Sequence, residues 1–456
     1  MSDNLFEQFE GVSAKQWKQS IQAGLRGADY NETLLTSTPE GITIKPFYNA
    51  ETTPETLSGL NYPENWSVTQ AVFVHDTRVA RGLILKSIQG GAEAILLEAA
   101  SSFDPEALFE GLDLNGISLY CDFTHWDAEF LTKFSKAAST TRAHVHLGVD
   151  IIGNLVKTGN WIASNESDHH LMEAAVKAHA NSGLSVSVNH YGNAGANAVQ
   201  ELAYALAHTN EYLNHLEQAG KLEQDLAINY RWSIGANYFM EIAKFRAFRR
   251  LIKELGALYN IQLNDTHLAR PSSRNKTIYD PNVNMLRTTT ECMSAVLGGV
   301  DAVCNLPYDA VYHKSNEFGE RISRNQLLIL KNESYFDQVT NAADGAYYIE
   351  DLSQQLAQKA LELFKQLEAS GGFVKALFAG TIQRKIREQA KEAQAAFDSG
   401  KKALLGTNLY PNEEEKVSQT VELYPFLKQE SRKTIIEPLI IKRIAESHEK
   451  NRLDHE

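Results

Sequence analysis

From residue 66 onward, short runs of β-branched and apolar residues alternate with longer stretches of helical periodicity, and this rhythm constrains the fold more than any other feature. The runs are WSVTQAVFV (66–74), AEAILLEA (92–99), GISLYCDF (116–123), RAHVHLGVD (142–150), LSVSVNHY (184–191), AINYRWSI (227–234), IQLNDTHLA (261–269) and DAVCNLPYD (301–309). Between them lie helical segments such as NAVQELAYALAHTNEYLNHLEQAG (197–220) and NYFMEIAKFRAFRRLIKELG (237–256). In the second, Phe239, Ile242, Phe245, Phe248 and Leu251 are spaced for one face, with basic residues between them. Strands that regularly alternate with helices imply a parallel sheet. Eight such units favour an α/β fold of the (β/α)8 TIM-barrel type over an open doubly wound sheet.

In a parallel barrel the strand C-termini form the active face. The polar residues at those ends are His75, Asp76, Glu98, Asp122, Asp150, Asn189, His190, Tyr191, Asp265, His267, Arg270 and Asp309. Two segments flank the barrel, assigned here to 66–345. Residues 1–65 read as a helix, VSAKQWKQSIQAGLRG, and an extended arm, TPEGITIKPFYNAE, lying on the barrel or on another subunit. Residues 346–456 contain two helices, SQQLAQKALELFKQLEASGG and TIQRKIREQAKEAQAAFDSGKKALLG, and a charged tail with one apolar stretch, TIIEPLIIKRI. Gly371 and Gly372 provide a helix stop, and Thr381 an N-cap.

The 456 residues are 43% apolar, ample for a large core. The formal charge of −13 argues against nucleic acid as a partner, because an acidic surface repels a phosphate backbone. Cys121, Cys292 and Cys304 are few and far apart, so neither a disulfide framework nor a thiolate metal site is indicated. The N-terminal MSDNLFEQFEG has no apolar signal core, and no apolar run approaches the ~18–20 residues that span a bilayer. The expectation is a soluble cytoplasmic protein with no membrane partner.

Three constellations carry chemistry. His190, at the mouth of the fifth run, can donate to a substrate carbonyl, and Tyr191 can hydrogen-bond or stack. The small residues after them either admit a ligand or serve turn geometry. The second is DTHLARPSSRNK, in which Asp265 and His267 face the same side of a strand. There Arg270, Ser272, Arg274 and Lys276 form a candidate anion-binding loop, or a solvated loop paired with surface acids. The third holds Asp309, His313, Arg321 and Arg324, for which ion pairing between helices is the leading reading. His144 with His146, and His169 with His170, are weak metal signals, and no metal site is assigned.

The stretches GITIKPFYNAE, GANAVQELAYALA, IGANYFMEIAKFRAFRRL, RNKTIYDPNVNMLRTTTECMSAVLGG and SRNQLLIL resemble the methylmalonyl-CoA mutase family, and within it the small subunit of the heterodimeric bacterial enzymes. The resemblance spans roughly residues 5 to 410. It implies a barrel of the CoA-ester-handling type followed by a helical linker, as part of a complex interconverting (R)-methylmalonyl-CoA and succinyl-CoA. It also implies a large catalytic partner subunit that holds adenosylcobalamin.

The family's cobalamin signature, D-x-H-x-x-G, has only one near match, Asp265-Thr-His267-Leu-Ala-Arg270, with Arg where Gly is needed. No flavodoxin-like cobalamin domain and no cofactor site in this chain are expected. In the family pattern W-x-I-R-Q-Y, Thr69 and Ala71 stand where Arg and Tyr would. His190 aligns with the histidine that hydrogen-bonds the thioester carbonyl, while the Tyr before it has become Asn189. The resemblance therefore implies a non-catalytic chain in which His190 is a remnant. The alternative is a free-standing barrel enzyme acting on a CoA ester or another anionic metabolite.

Overall fold

The computed structural model describes residues 10–53, 56–57, 59–178, 182–428 and 431–456. Eight parallel strands succeed one another around a barrel: β1 (Ser67–Phe73), β2 (Ala94–Ala99), β3 (Ser118–Phe123), β4 (His144–His146), β5 (Leu184–Ser187), β6 (Asp225–Ile234), β7 (Gln262–Pro271) and β8 (Ala302–Cys304). The ladder returns from β8 to β1 with Ala302 opposite Ser67. The thinnest seam is between β4 and β5. It is carried by residues 147–149: Leu147 N–H donates to Ser182 O at 2.9 Å, Val149 N–H to Gly183 O at 3.2 Å, and Ser185 N–H to Val149 O at 3.0 Å. Gly148 turns there at φ +71°, and a Cβ would collide with the Cys121 carbonyl oxygen, so only glycine passes. The (β/α)8 architecture expected from the alternation is thus the one observed.

Short polar residues after the strands start the crossover helices. Asp76 Oδ1 accepts from Arg78 and Val79 N–H at 2.9 Å each, and Asp127 Oδ1 from Phe130 N–H at 2.7 Å. Asn197 forms a reciprocal cap with Gln200 at the head of the helix Ala198–Gln218. Each satisfies amide groups that a helix start would otherwise orphan.

Three local expectations need correction. The run 184–191 is a strand only to Ser187; Asn189, His190 and Tyr191 lie in a short helix, Asn189–Ala194. Gly195 ends that helix at φ +111°, with its α-carbon face against Ala390, so the small residues serve a turn and a close helix contact. Thr381 occupies the first helical position, and the cap position belongs to left-handed Gly380.

Most informative is the helix Tyr238–Leu258. Phe239 is 49% exposed, whereas the intervening Lys244, Arg246 and Arg249 are buried. The helix Tyr347–Ala369 packs against it on the side of Arg246, while Lys244 and Arg249 turn toward the helix Ala198–Gln218 and the barrel strands, so all three are enclosed. Each cation then needs an acid. Lys244 Nζ meets Glu201 at 2.7 Å and Glu241 at 2.6 Å, and Arg246 meets Glu350 at 2.6 Å. Arg249 bridges Asp265 at 2.8 Å and Asp301 at 3.0 Å, tying β7 to the entry of β8.

The arm lies partly on its own barrel: Ile42 is fully buried, and Asn197 Nδ2 donates to Pro39 O at 3.0 Å. Its helix Ala14–Gly24, begun by a Ser13–Gln16 capping box, buries no residue. The tail crosses the strand C-terminal face. Leu439 N–H donates to Val156 O at 2.9 Å after β4, Ile444 N–H to Arg274 O at 2.8 Å after β7, and Leu423 N–H to Tyr312 O at 2.8 Å after β8.

Replacing Arg249 by Met leaves Asp265 and Asp301 without their shared cation. Urea unfolding is expected to show a loss of about 3–5 kcal/mol; a loss within about 0.5 kcal/mol would contradict the bridging role.

Candidate functional site

The barrel mouth is built on the ends of β3 to β6. Arg231 rises from the middle of β6 and reaches across to Asp122 on β3 at 2.7 Å. Its other nitrogen donates to Ser185 Oγ at 2.7 Å and Gly148 O at 3.3 Å, so the guanidinium staples both sides of the seam. Desolvation pushes the Asp122 carboxyl up, but Arg231, Lys157 and His190 outweigh it, and it sits below the usual range.

Asp150 anchors the same region. Its Oδ1 accepts from Gly153 N–H at 2.6 Å and Tyr212 OH at 2.8 Å, and its Oδ2 from Ser187 N–H at 2.7 Å. His208 Nε2 lies 3.1 Å from Oδ1 without good hydrogen-bond geometry. Burial opposes this charge, yet His208 and the hydrogen bonds keep Asp150 well below the ordinary carboxylate range. The hydroxyl of buried Tyr191 shares a hydrogen bond with His208 Nδ1 at 2.9 Å. It supports Asp150 through His208 and does not face the mouth as a free phenol.

His190, on the first turn of the short helix, lines a cavity with Asp122, Asp150, Lys157 and Arg231. Its ring makes no hydrogen bond to another described residue. Desolvation and the neighbouring Lys157 lower its pKa to about 4, against the pull of Asp122 and Asp150. At neutral pH it is an uncharged imidazole able to donate or accept one hydrogen bond. The cavity is only about 20 Å3, roughly the room one water needs. A larger cavity of about 440 Å3 lies at the opposite end of the strands, bordered by Ser67, Ser118, Tyr120, His144, Thr266 and Asp301.

The four residues of the proposed anion loop do not converge. Arg270 crosses the mouth to Glu98 at 2.8 Å. Lys276 is buried on Glu291 at 2.7 Å. Ser272 Oγ donates to Asn193 Oδ1 at 2.8 Å. Of the three cations only Arg274 has no carboxylate among the described residues, and it faces the C-terminal helix and tail.

Asp265 and His267 do share a face. Trp232 Nε1–H donates to His267 Nδ1 at 2.9 Å, so Nε2 carries the proton and donates to Asp265 at 2.6 Å. With both nitrogens engaged and the ring fully buried, His267 does not fit as a cobalt ligand. His146 stacks on Tyr120 at 4.4 Å, and His169 Nδ1 lies 2.7 Å from Asn165 O. Asp309 holds His313 at 3.1 Å and Asn316 at 2.7 Å, but Arg321 and Arg324 meet no acid among the described residues: Arg324 donates to Gly90 O and Gln70 Oε1 at 2.9 Å each and Arg321 lies over the Phe318 ring, so the expected ion pairing between helices is not observed. Among the described residues no group of three His, Cys, Asp or Glu side chains is placed to hold a metal. The residue that sequence reasoning passed over is Arg231. Its signal was present: a lone charge inside the apolar run AINYRWSI must find a partner indoors.

The fold and mouth define an α/β barrel whose strand ends carry ion pairs and one uncharged histidine. The family profile described as methylmalonyl-CoA mutase matches residues 97–454, and the chain belongs to that family. A methylmalonyl-CoA mutase small subunit from Porphyromonas gingivalis is 32% identical over 99% of this chain and 78% of its own length. A small subunit from Streptomyces virginiae is 29% identical over 90% of this chain and 72% of that one. A methylmalonyl-CoA mutase from Rhizobium meliloti is 26% identical over 88% of this chain, which spans 64% of that relative. Among the described residues no helix is long and apolar enough to cross a membrane.

The lowered His190 pKa has a pH consequence. Between the ordinary histidine value near 6.5 and about 4, the unfolded chain binds the proton that folded His190 refuses. His190 therefore makes stability fall as pH drops through that window. Histidine NMR, assigned with His190→Gln, should show this ring titrating near pH 4; an ordinary midpoint near 6.5 would contradict the buried, cation-flanked setting.

Proposed function

We propose that this chain is the small, non-catalytic subunit of a heterodimeric, adenosylcobalamin-dependent methylmalonyl-CoA mutase. The complex interconverts (R)-methylmalonyl-CoA and succinyl-CoA, a step of propionate metabolism in the cytoplasm. The large subunit holds the cofactor and the CoA ester during chemistry, and this chain stabilises it. The observation that carries the reading is the occupied mouth. Arg231 is spent on Asp122, Arg270 on Glu98, and the space beside His190 is about 20 Å3. An acyl thioester needs far more room than one water. His190 fits as a remnant of a carbonyl-binding group whose surroundings have been refilled. A free-standing enzyme using His190 with Arg270 loses support, because Arg270 would have to abandon Glu98.

The arm supports a stabilising role. The helix Ala14–Gly24 buries no residue in its own chain, and Val12 and Trp17 are exposed. Trp17 stands edge-on to Phe47, presenting an aromatic pair of the kind that anchors interfaces. An obligate partner would cover this surface.

Co-expression with a family large subunit tests the assignment. The two chains are expected to co-elute, with the large subunit less stable alone. Separate elution together with full activity of the isolated large subunit would sink the reading. Trp17→Asp is expected to weaken co-elution by about tenfold or more in Kd, while leaving the isolated chain's melting temperature unchanged. Unaltered assembly would remove the arm from the interface.

A further inference from the structure

The loop after β7, the helix Thr381–Asp398 and the tail border a third cavity of about 350 Å3. It shares no lining residue with the mouth around His190. The size is at the lower end of small-molecule pockets. Part of its wall is apolar: Ile386, Ala390, Leu427, Pro438 and Leu439. The rest is cationic, with Arg274, Arg387, Lys391, Lys442 and Arg443 around a single carboxylate, Glu437. That balance runs against a chain of formal charge −13.

The cations are not all spent. Arg387 takes Glu437 at 2.8 Å, and Arg443 is held by Glu449. Arg274, Lys391 and Lys442 have no carboxylate partner among the described residues. Arg274 reaches only the Lys442 carbonyl, at 3.4 Å, and its guanidinium lies beside Gly195 and Ala390. Desolvation with no compensating acid lowers its pKa. Such a group is stabilised by an incoming anion, which an arginine can bind bidentately.

Gln383 lines the same wall. Its side chain is 3% exposed, and Nε2 donates to Leu377 O at 3.0 Å and Glu437 O at 3.1 Å, which fixes the amide orientation. Its Oε1 has no partner among the described residues. That oxygen is closed off from the cavity as well as from solvent, so Gln383 offers a ligand no polar contact and a ligand's charge must be met by the cations.

We propose that this cavity binds an amphiphilic oxyanion. A carboxylate or phosphate head sits on Arg274 and Lys391, and a short apolar chain lies on Ile386 and Leu439. The site lies outside the barrel mouth and is independent of the subunit assignment.

Hexanoate is the probe, since it carries a carboxylate and a short apolar chain. Calorimetry on the full chain is expected to show saturable one-to-one binding. Its methyl ester, lacking the charge, should give no saturable heat, and acetate, lacking the apolar chain, should bind more weakly. Arg274→Gln and Lys391→Gln should each weaken binding about tenfold or more. Lys391 is exposed on its helix, so that variant reports on charge without threatening the fold. The proposal is overturned by an absence of saturable binding, by equal binding of the ester, by unchanged affinity in Lys391→Gln, or by inorganic phosphate binding as tightly as the probe.

Discussion

The Asp150 carboxylate is the interaction on which the barrel's weakest seam depends. β4 and β5 meet through only a few backbone bonds at residues 147–149, with Gly148 in a left-handed turn. Asp150 follows at once. One oxygen takes the Ser187 amide at the end of β5, and the other starts the next helix at Gly153 and receives Tyr212. A single ionised group thus fixes a strand end, a helix start and a neighbouring helix. Charge-assisted bonds are suited to this because each is stronger than its neutral counterpart.

The same chemistry explains the character of the mouth. Once Asp150 and the Arg231–Asp122 pair have closed the seam, little polar capacity is left over. Arg270 and Glu98 use up the other side. His190 is left in a crowded and partly cationic setting, which keeps its ring neutral. The charges that could have gripped a substrate are engaged in holding the barrel together.

The alternation of runs and helices was readable because parallel strands require crossovers, and each crossover brings its own periodicity. The strand ends were less so. Asn189-His190-Tyr191 has strand-like composition, but Gly195 and the approach of Ala390 bend the chain into a helix, a tertiary effect invisible locally. Lys244, Arg246 and Arg249 read only as basic residues between apolar ones, because nothing in their own helix shows the acids on Ala198–Gln218, Tyr347–Ala369 and the strands that enclose them. The cluster Arg270, Ser272, Arg274 and Lys276 was compact in sequence, yet the strand ends at Pro271 and the chain then turns, so the strand's two-residue period no longer holds the four on one face. Its members separated into the barrel, a buried pair and the tail contact.

The tail's attachment to the loops bears on how the chain is made. Arg432 donates to the carbonyl of Thr158, 274 residues earlier. At usual elongation rates that interval corresponds to roughly 15–55 s of synthesis. During it the loops after β4 lack their cover, and apolar groups such as Val156 and Leu155 depend on the growing chain or a chaperone for shelter. Contacts this distant also slow folding, because loop closure must precede any gain from them. The strand C-terminal face is therefore the last surface to mature, and a ribosome that stalls before residue 430 leaves it bare.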